Sequence, residues 1–305
     1  MGEHLGVGPD GSNPLGFLCA LGAFLVLSEA LPAADVRMSW RWRGGWRPVW
    51  KLETALTDEE LAATLHTAVT GRDTAPEFTL GDNENLKFTS DEFRRFAIEA
   101  AHSATAMNRR WADFMVAYGS ELTTKRSRDE VEVTAFRFTS GQQGFLGFAR
   151  QLSRLITVRD IQAALFLSWR YSDPGPSMRW DPSMDDRRYA LRADDPSTSR
   201  QMPIRTVRGA NRLAIEALRC FPSVLAGRQL ETTCFAGRMM RGLYFTWPIW
   251  DAFIGAPVAR SLLSLAELAS NSPDHEQLEP RGITAVFRCR VAGSYYRNFS
   301  PATSV

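Results

Sequence analysis

Lysine is nearly missing from this chain: Lys51, Lys87 and Lys125 are the only ones among 36 basic residues, so 33 are arginine. Histidine is as sparse. His4, His66, His102 and His275 stand far apart, in no HxH or HExxH spacing, which leaves little from which to build a metal-dependent hydrolase or a Ser/His/Asp triad. The four cysteines (Cys19, Cys220, Cys234, Cys289) include no CxxC pair and no histidine partner at zinc spacing. That argues against a zinc ribbon or a disulfide framework and for buried free thiols. No cofactor or metal is expected. The strongest apolar run, Leu15 to Leu27, is too short to span a bilayer and lacks the basic leading segment of a secretory signal. The expectation is a soluble cytoplasmic protein with no membrane partner.

What is present suffices for a sizeable core: 305 residues, 44% of them hydrophobic, correspond to one large domain or two small ones. No repeat, low-complexity tract or clean boundary divides the chain, so one α+β domain over residues 1–305 is expected. The net charge of +2 hides an asymmetry, because residues 1–100 hold 9 basic and 15 acidic side chains while 101–305 hold 27 and 19. Arginine's planar fork pairs bidentately with phosphate and stacks on bases, which points to a polyanion. A GC-rich genome also enriches arginine everywhere, so the ratio alone does not choose.

Asn13-Pro14 is a helix start, with a capping side chain before proline, and the apolar stretch to Leu27 predicts a buried helix. Val36, Met38, Trp40 and Trp42 alternate with polar residues, Gly44-Gly45 turns the chain, and Trp46, Pro48, Trp50 and Leu52 alternate again: a hairpin with one tryptophan-rich face. Capping boxes at Thr57–Glu60 and from Ser90, and a cap at Thr157–Asp160, open further helices. Others are expected over Arg109 to Tyr118, into Ile156, from Arg208 to Phe221, and around Ser261 to Leu268. Strands are expected over Val131 to Phe138, Leu230 to Phe235, Leu243 to Trp250 and Ile283 to Val291. Residues 171–205, polar and punctuated by prolines, read as a long loop or excursion from the core.

The densest arginine cluster spans Arg179 to Arg212, where Arg179, Arg187, Arg188, Arg192, Arg200, Arg205, Arg208 and Arg212 face five aspartates. A loop feeding a helix N-terminus could hold phosphates with guanidinium forks and backbone N–H groups. Alternatively, Asp181, Asp185, Asp186, Asp194 and Asp195 neutralise their neighbours. The predicted helix turns Arg208, Arg212 and Arg219 away from its apolar face. A metal-dependent nuclease would instead use Asp181, Asp185 and Asp186 to gather magnesium for phosphodiester cleavage, although aspartates among arginines are more simply salt-bridge partners. Ser140-Gly141-Gln142-Gln143-Gly144 could meet a phosphate or a base edge, or be a plain turn. The aromatic stretches Trp40 to Trp50 and Tyr244 to Trp250 could stack bases or fill the core. The expected nucleic-acid contacts are therefore Arg179, Arg187, Arg188, Arg192, Arg205, Arg208, Asn211, Arg212, Arg219, Gln142 and Gln143, with no catalytic residue.

Four stretches carry a family resemblance: Asn13-Pro14-Leu15-Gly16-Phe17-Leu18 through Ala20-Leu21-Gly22, Trp180-Asp181-Pro182 to Asp186-Arg187-Arg188-Tyr189-Ala190, Thr206 to Ala214, and Phe245-Thr246-Trp247-Pro248. Together they resemble subunits encoded in type I-G (formerly I-U) CRISPR loci, nearest to the family described as an extension of the helicase-nuclease, with a large-subunit-like effector component as the alternative. The resemblance implies an antiviral, non-enzymatic subunit that meets crRNA or target DNA and other CRISPR-associated proteins. A metal-dependent nuclease and a protein-only scaffold are the alternatives. The resemblance carries no functional residues to this chain.

Overall fold

A computed structural model describes residues 2–81, 83–124, 130–139, 144–182, 205–227, 229–238, 242–270, 272–293 and 297–305. In chain order its first half comprises β1 (Gly2–Leu5), α1 (Pro14–Ala30), β2 (Arg37–Trp42), β3 (Trp46–Leu52), α2 (Asp58–Val69), α3 (Ser90–Ser103), α4 (Arg110–Tyr118), β4 (Gly119–Thr124), β5 (Val131–Val133), α5 (Phe145–Leu155) and α6 (Val158–Phe166). There follow β6 (Asp173–Pro174), β7 (Arg205–Thr206), α7 (Arg208–Ala217), β8 (Ser223–Ala226), β9 (Gln229–Thr232), β10 (Phe235–Arg238), β11 (Gly242–Trp250), α8 (Ala256–Leu263), α9 (His275–Leu278), β12 (Ile283–Ala292), β13 (Asn298–Phe299) and β14 (Thr303–Ser304). Every strand pair is antiparallel, and helices and sheets alternate irregularly: this is an α+β fold.

Helix α1 is the axis. Asn13 Oδ1 accepts from Gly16 N at 3.0 Å, Pro14 occupies the first turn, and every residue from Pro14 to Leu27 is buried, as befits a helix apolar on all sides. One flank packs against α7. Their backbones approach so closely that a Cβ on Gly22 would lie 1.8 Å from the carbonyl oxygen of Leu213. Gly22→Ala is therefore expected to force the two helices apart and to cost about 1–3 kcal/mol, an overpacking penalty read from urea unfolding midpoints at unchanged m-value.

The other flank of α1 meets two sheets. The first has order β1-β3-β2 and turns Met38, Trp40, Trp50 and Leu52 inward; the second runs β10-β11-β12-β13, with β14 also on β12, and turns Phe235, Phe245, Trp247, Cys289 and Phe299 inward. Met38 and Ile254 exchange backbone hydrogen bonds of 3.0 and 3.1 Å between them, and Trp250 Nε1 donates to Met38 O at 2.9 Å. Phe17 of α1 sits where all three meet, 5.8 Å from both Trp40 and Trp247 and 6.4 Å, edge-on, from Trp250.

Several boundaries shift from the sequence reading. Thr89, not Ser90, caps α3, exchanging hydrogen bonds with Glu92. The strand expected over Val131 to Phe138 stops at Val133, because Thr134 starts a turn whose backbone is held by Thr232 Oγ1 (3.0 Å, from Ala135 N), which aims Phe136 at Trp180, Phe221 and Phe245. Helix α8 begins at Ala256 rather than near Ser261, since Pro257 suits a first turn. All four cysteines are free and buried; burial pushes the Cys220 thiol up to about 11 and raises those of Cys19, Cys234 and Cys289. No described helix is long and apolar enough to cross a membrane.

Candidate nucleic-acid interface

The arginine segment resolves into an anchored frame and a central stretch. Residues 183–204, and with them Arg187, Arg188, Arg192, Arg200, Asp185 and Asp186, lie outside the described residues, as do Gln142 and Gln143. The frame is visible. Strands β6 and β7 pair Asp173 with Thr206 and Pro174 with Arg205, and Met178, Trp180 and Asp181 are buried, so the described part of the expected 171–205 excursion lies in the core instead. Arg208 N donates to Asp173 Oδ2 at 2.8 Å, and Asn211 Oδ1 accepts from Met178 N at 2.8 Å.

Among the described residues, the frame turns most of the expected contacts inward. Residues 183–204 hold four arginines and four aspartates, so the segment's positive excess comes from the flanking Arg179, Arg205, Arg208 and Arg212. Of these, Arg179 is buried in a left-handed backbone turn (φ 66°), Arg212 is fully buried, and Arg208 lies 3.5 Å from Asp160. Asn211 and Arg219 are buried too. Arg205 alone is exposed, its guanidinium donating to Ser172 O at 3.0 Å. The physical cause is that the polar side of α7 meets protein rather than water: Arg110 of α4, the Val69 carbonyl and the Phe78 ring lie against Arg212 and Glu216.

That polar face builds an internal ionic centre. Glu216, with no exposed surface, accepts from Arg110 Nη2 at 2.7 Å and from Arg212 Nη1 at 2.7 Å, with Arg219 Nη2 at 3.3 Å. Arg110 Nε reaches Glu77 at 2.5 Å, Arg212 Nη2 donates to Val69 O at 3.0 Å, and Arg219 also bonds Glu29. Phe78 and Phe114 lie under the guanidinium planes at 5.0 to 5.8 Å. Burial alone would raise the Glu216 carboxyl, but Arg110 and Arg212 hold it well below the usual carboxylate range. Burial lowers the Arg212 guanidinium, whereas the two carboxylates facing Arg110 outweigh its burial and raise it. These arginines are structural ions.

Asp181 is likewise interior, accepting from Asn13 Nδ2 at 3.0 Å, and among the described residues no group of three or more His, Cys, Asp or Glu side chains could hold a metal. Gly6, Gly8 and Gly11, between β1 and α1, also match the GxGxxG spacing of a dinucleotide loop, a feature legible in the sequence. Protein fills that loop: a Cβ at these positions would strike Pro48, the carbonyl of Ala164 and Ile249. The glycines serve packing under the tryptophans.

Exposed arginine and aromatic side chains come together elsewhere. Strands β10 to β14 contain no Asp or Glu, and their solvent face carries Arg238, Arg288, Arg290 and Tyr244. Tyr244 stands directly opposite Arg290 across β11 and β12 and opposite Ala236 on β10, with Arg238 two residues along. Cross-strand neighbours of this kind have Cβ atoms about 5 Å apart. Arg290 and Arg238 are exposed and form no ion pair with a described residue, while Arg288 is tied down, Nε donating to Thr246 Oγ1 at 2.8 Å. The second cluster is the β2–β3 hairpin tip, with Arg41, Trp42, Arg43, Trp46 and Arg47. Alternation signalled both clusters only weakly, because the same stretches also hold the core residues Trp40, Trp50, Trp247 and Trp250.

The described residues of the four stretches that carry the family resemblance meet in the interior. Asn13 bonds Asp181, Asn211 bonds Met178 just before Trp180, Gly22 abuts Leu213, and Trp247 Nε1 donates to Gly11 O at 2.7 Å. They specify packing. No family model matches the chain, and neither a curated protein nor a solved structure matches it.

Proposed function

We propose that the chain is a non-enzymatic nucleic-acid-binding or assembly subunit of a type I CRISPR antiviral interference complex, contacting crRNA or target DNA. The observation that carries the nucleic-acid part is the carboxylate-free solvent face of the five-stranded sheet, where Arg238 and Arg290 flank Tyr244 without acidic partners among the described residues. Guanidinium forks pair with phosphates, a tyrosine ring offers a stacking surface, and the twisted open sheet gives a broad platform for a backbone to cross. The CRISPR assignment rests on the resemblance of the sequence stretches given above.

The reading predicts salt-sensitive binding. With labelled RNA and DNA, log affinity should fall linearly with log salt, and Arg238→Ala and Arg290→Ala should each make that slope shallower by about one unit. Fluorescence anisotropy over a potassium chloride series measures it. Slopes unchanged in both variants would remove the sheet face from the interface; no binding by the intact protein would remove the nucleic-acid reading. Cleavage of the same probes with added magnesium, lost on Asp185→Ala or Asp186→Ala, would favour the nuclease alternative.

A further inference from the structure

The β2–β3 hairpin combines an exposed large aromatic ring, one arginine without an ion pair among the described residues, and a rigid mount. Trp42 is 65% exposed at the end of a strand whose preceding inward residues, Met38 and Trp40, are fully buried. Its ring stands 5.5 Å from that of Trp46, edge to face, so one broad face stays open to solvent. Leaving that much indole in water forgoes burial that folding would otherwise reward.

The surroundings of Trp42 are ionic. Arg41 pairs with Glu3 at 2.8 Å, and Arg47 donates to Pro9 O at 3.1 Å with Asp10 at 3.9 Å. Arg43 is exposed and forms no ion pair with a described residue. The tip is also held in place. Gly44 adopts a φ of 68°, Arg43 N donates to Gly45 O at 2.8 Å, and Gly11 N donates to Trp46 O at 2.7 Å. Gly45 is pressed against Asp10 so closely that a Cβ there would lie 2.3 Å from Oδ2.

We propose that Trp42 is a stacking platform for an unpaired base of single-stranded nucleic acid, with Arg43 beside it to meet a flanking phosphate. Charge chooses this occupant: beside the exposed indole, Arg43 is exposed and has no carboxylate partner among the described residues, and a phosphate backbone supplies that counter-charge together with a base for the ring. Stacking chooses single strands over duplex because a paired base buries both faces in its own stack, while an unpaired base exposes a π-face whatever its identity. The inference rests on the nucleic-acid reading above but concerns a separate surface from the sheet face.

The test compares wild type, Trp42→Ala, Trp42→Phe and the double variant Arg238→Ala/Arg290→Ala, each binding labelled oligo(dT), oligo(rU) and a duplex. Oligonucleotides of roughly twenty residues exceed the site size of one binding module. Trp42→Ala should weaken single-strand binding about tenfold and leave duplex affinity unchanged, and Trp42→Phe should recover most of the loss. The two single-stranded probes show whether DNA or RNA is preferred. Because Trp42 is exposed, all variants should keep the wild-type melting temperature, which excludes a folding defect. Equal single-strand affinity of Trp42→Ala and wild type, or an equal loss on duplex, overturns the proposal. If the double variant weakens binding while Trp42→Ala does not, only the hairpin inference fails; if wild type binds no probe, both readings fail.

Discussion

Glu216→Ala is expected to cost about 3–5 kcal/mol of folding stability, a large fraction of what a domain possesses. The carboxylate lies at the middle of Arg110, Arg212 and Arg219, and removing it leaves three guanidinium groups in the interior without their common counter-charge. The loss is that of uncompensated buried charge, so it should exceed the loss from any exposed ion pair, such as Arg94–Asp91. Equilibrium unfolding in urea measures both. The same centre sets an acid dependence. Glu216 titrates well below its unfolded value of about 4.3, so the unfolded chain takes up a proton first as pH falls. Its contribution is present above that range and is lost as pH drops through the folded value. The Tm of the wild type should therefore fall steeply below about pH 4, whereas Glu216→Gln, less stable at neutral pH, should show a flatter acid limb.

Trp247→Ala is expected to cost about 3–5 kcal/mol, at the upper end for a core truncation. Its ring stacks on Phe245 at 4.8 Å, meets Phe17 at 5.8 Å and Phe287 at 6.2 Å, and its Nε1 donates to Gly11 O. Truncation would empty the space between α1 and the second sheet and leave the Gly11 carbonyl without its partner. Because surrounding rings are held by their own edge and face contacts, little collapse can fill the void. Trp247→Phe should recover part of the packing but not the hydrogen bond, so its loss should fall between zero and that of alanine, as read from urea midpoints. A Trp42→Ala variant, removing the same side chain from the surface, should leave the midpoint in place.

The elements were largely legible because their signals are local. Asn13-Pro14, the Thr57–Glu60 box and Thr157–Asp160 predicted helix starts that the structure places within a residue, since a cap depends only on backbone groups two or three positions away. The tryptophan-rich hairpin likewise followed from period-two alternation and a glycine turn. The site was less legible. The amphipathic pattern of α7 correctly gave one apolar face, but a polar face satisfied by water and one satisfied by Arg110 and the Val69 carbonyl have the same sequence pattern. Arg110 lies 106 residues from Glu216, and no local period announces such a pair. Likewise, alternation placed Trp40 and Trp42 on the same face of one strand, yet the first is sealed beneath Phe17 and Trp250 while the second overhangs the end of the core.

By itself the sequence determined which segments become helices and strands, that the thiols stay free, and that positive charge would be presented by arginine forks. Only the tertiary structure decided which arginines meet solvent. Local periodicity fixes a side chain's direction relative to its own backbone, whereas exposure depends on what other elements lie across from it. Here Arg110 of α4, the Val69 carbonyl at the end of α2 and the Phe78 ring close over Arg212 and Glu216 of α7, and nothing among the described residues closes over Arg43, Trp42, Arg238 or Arg290.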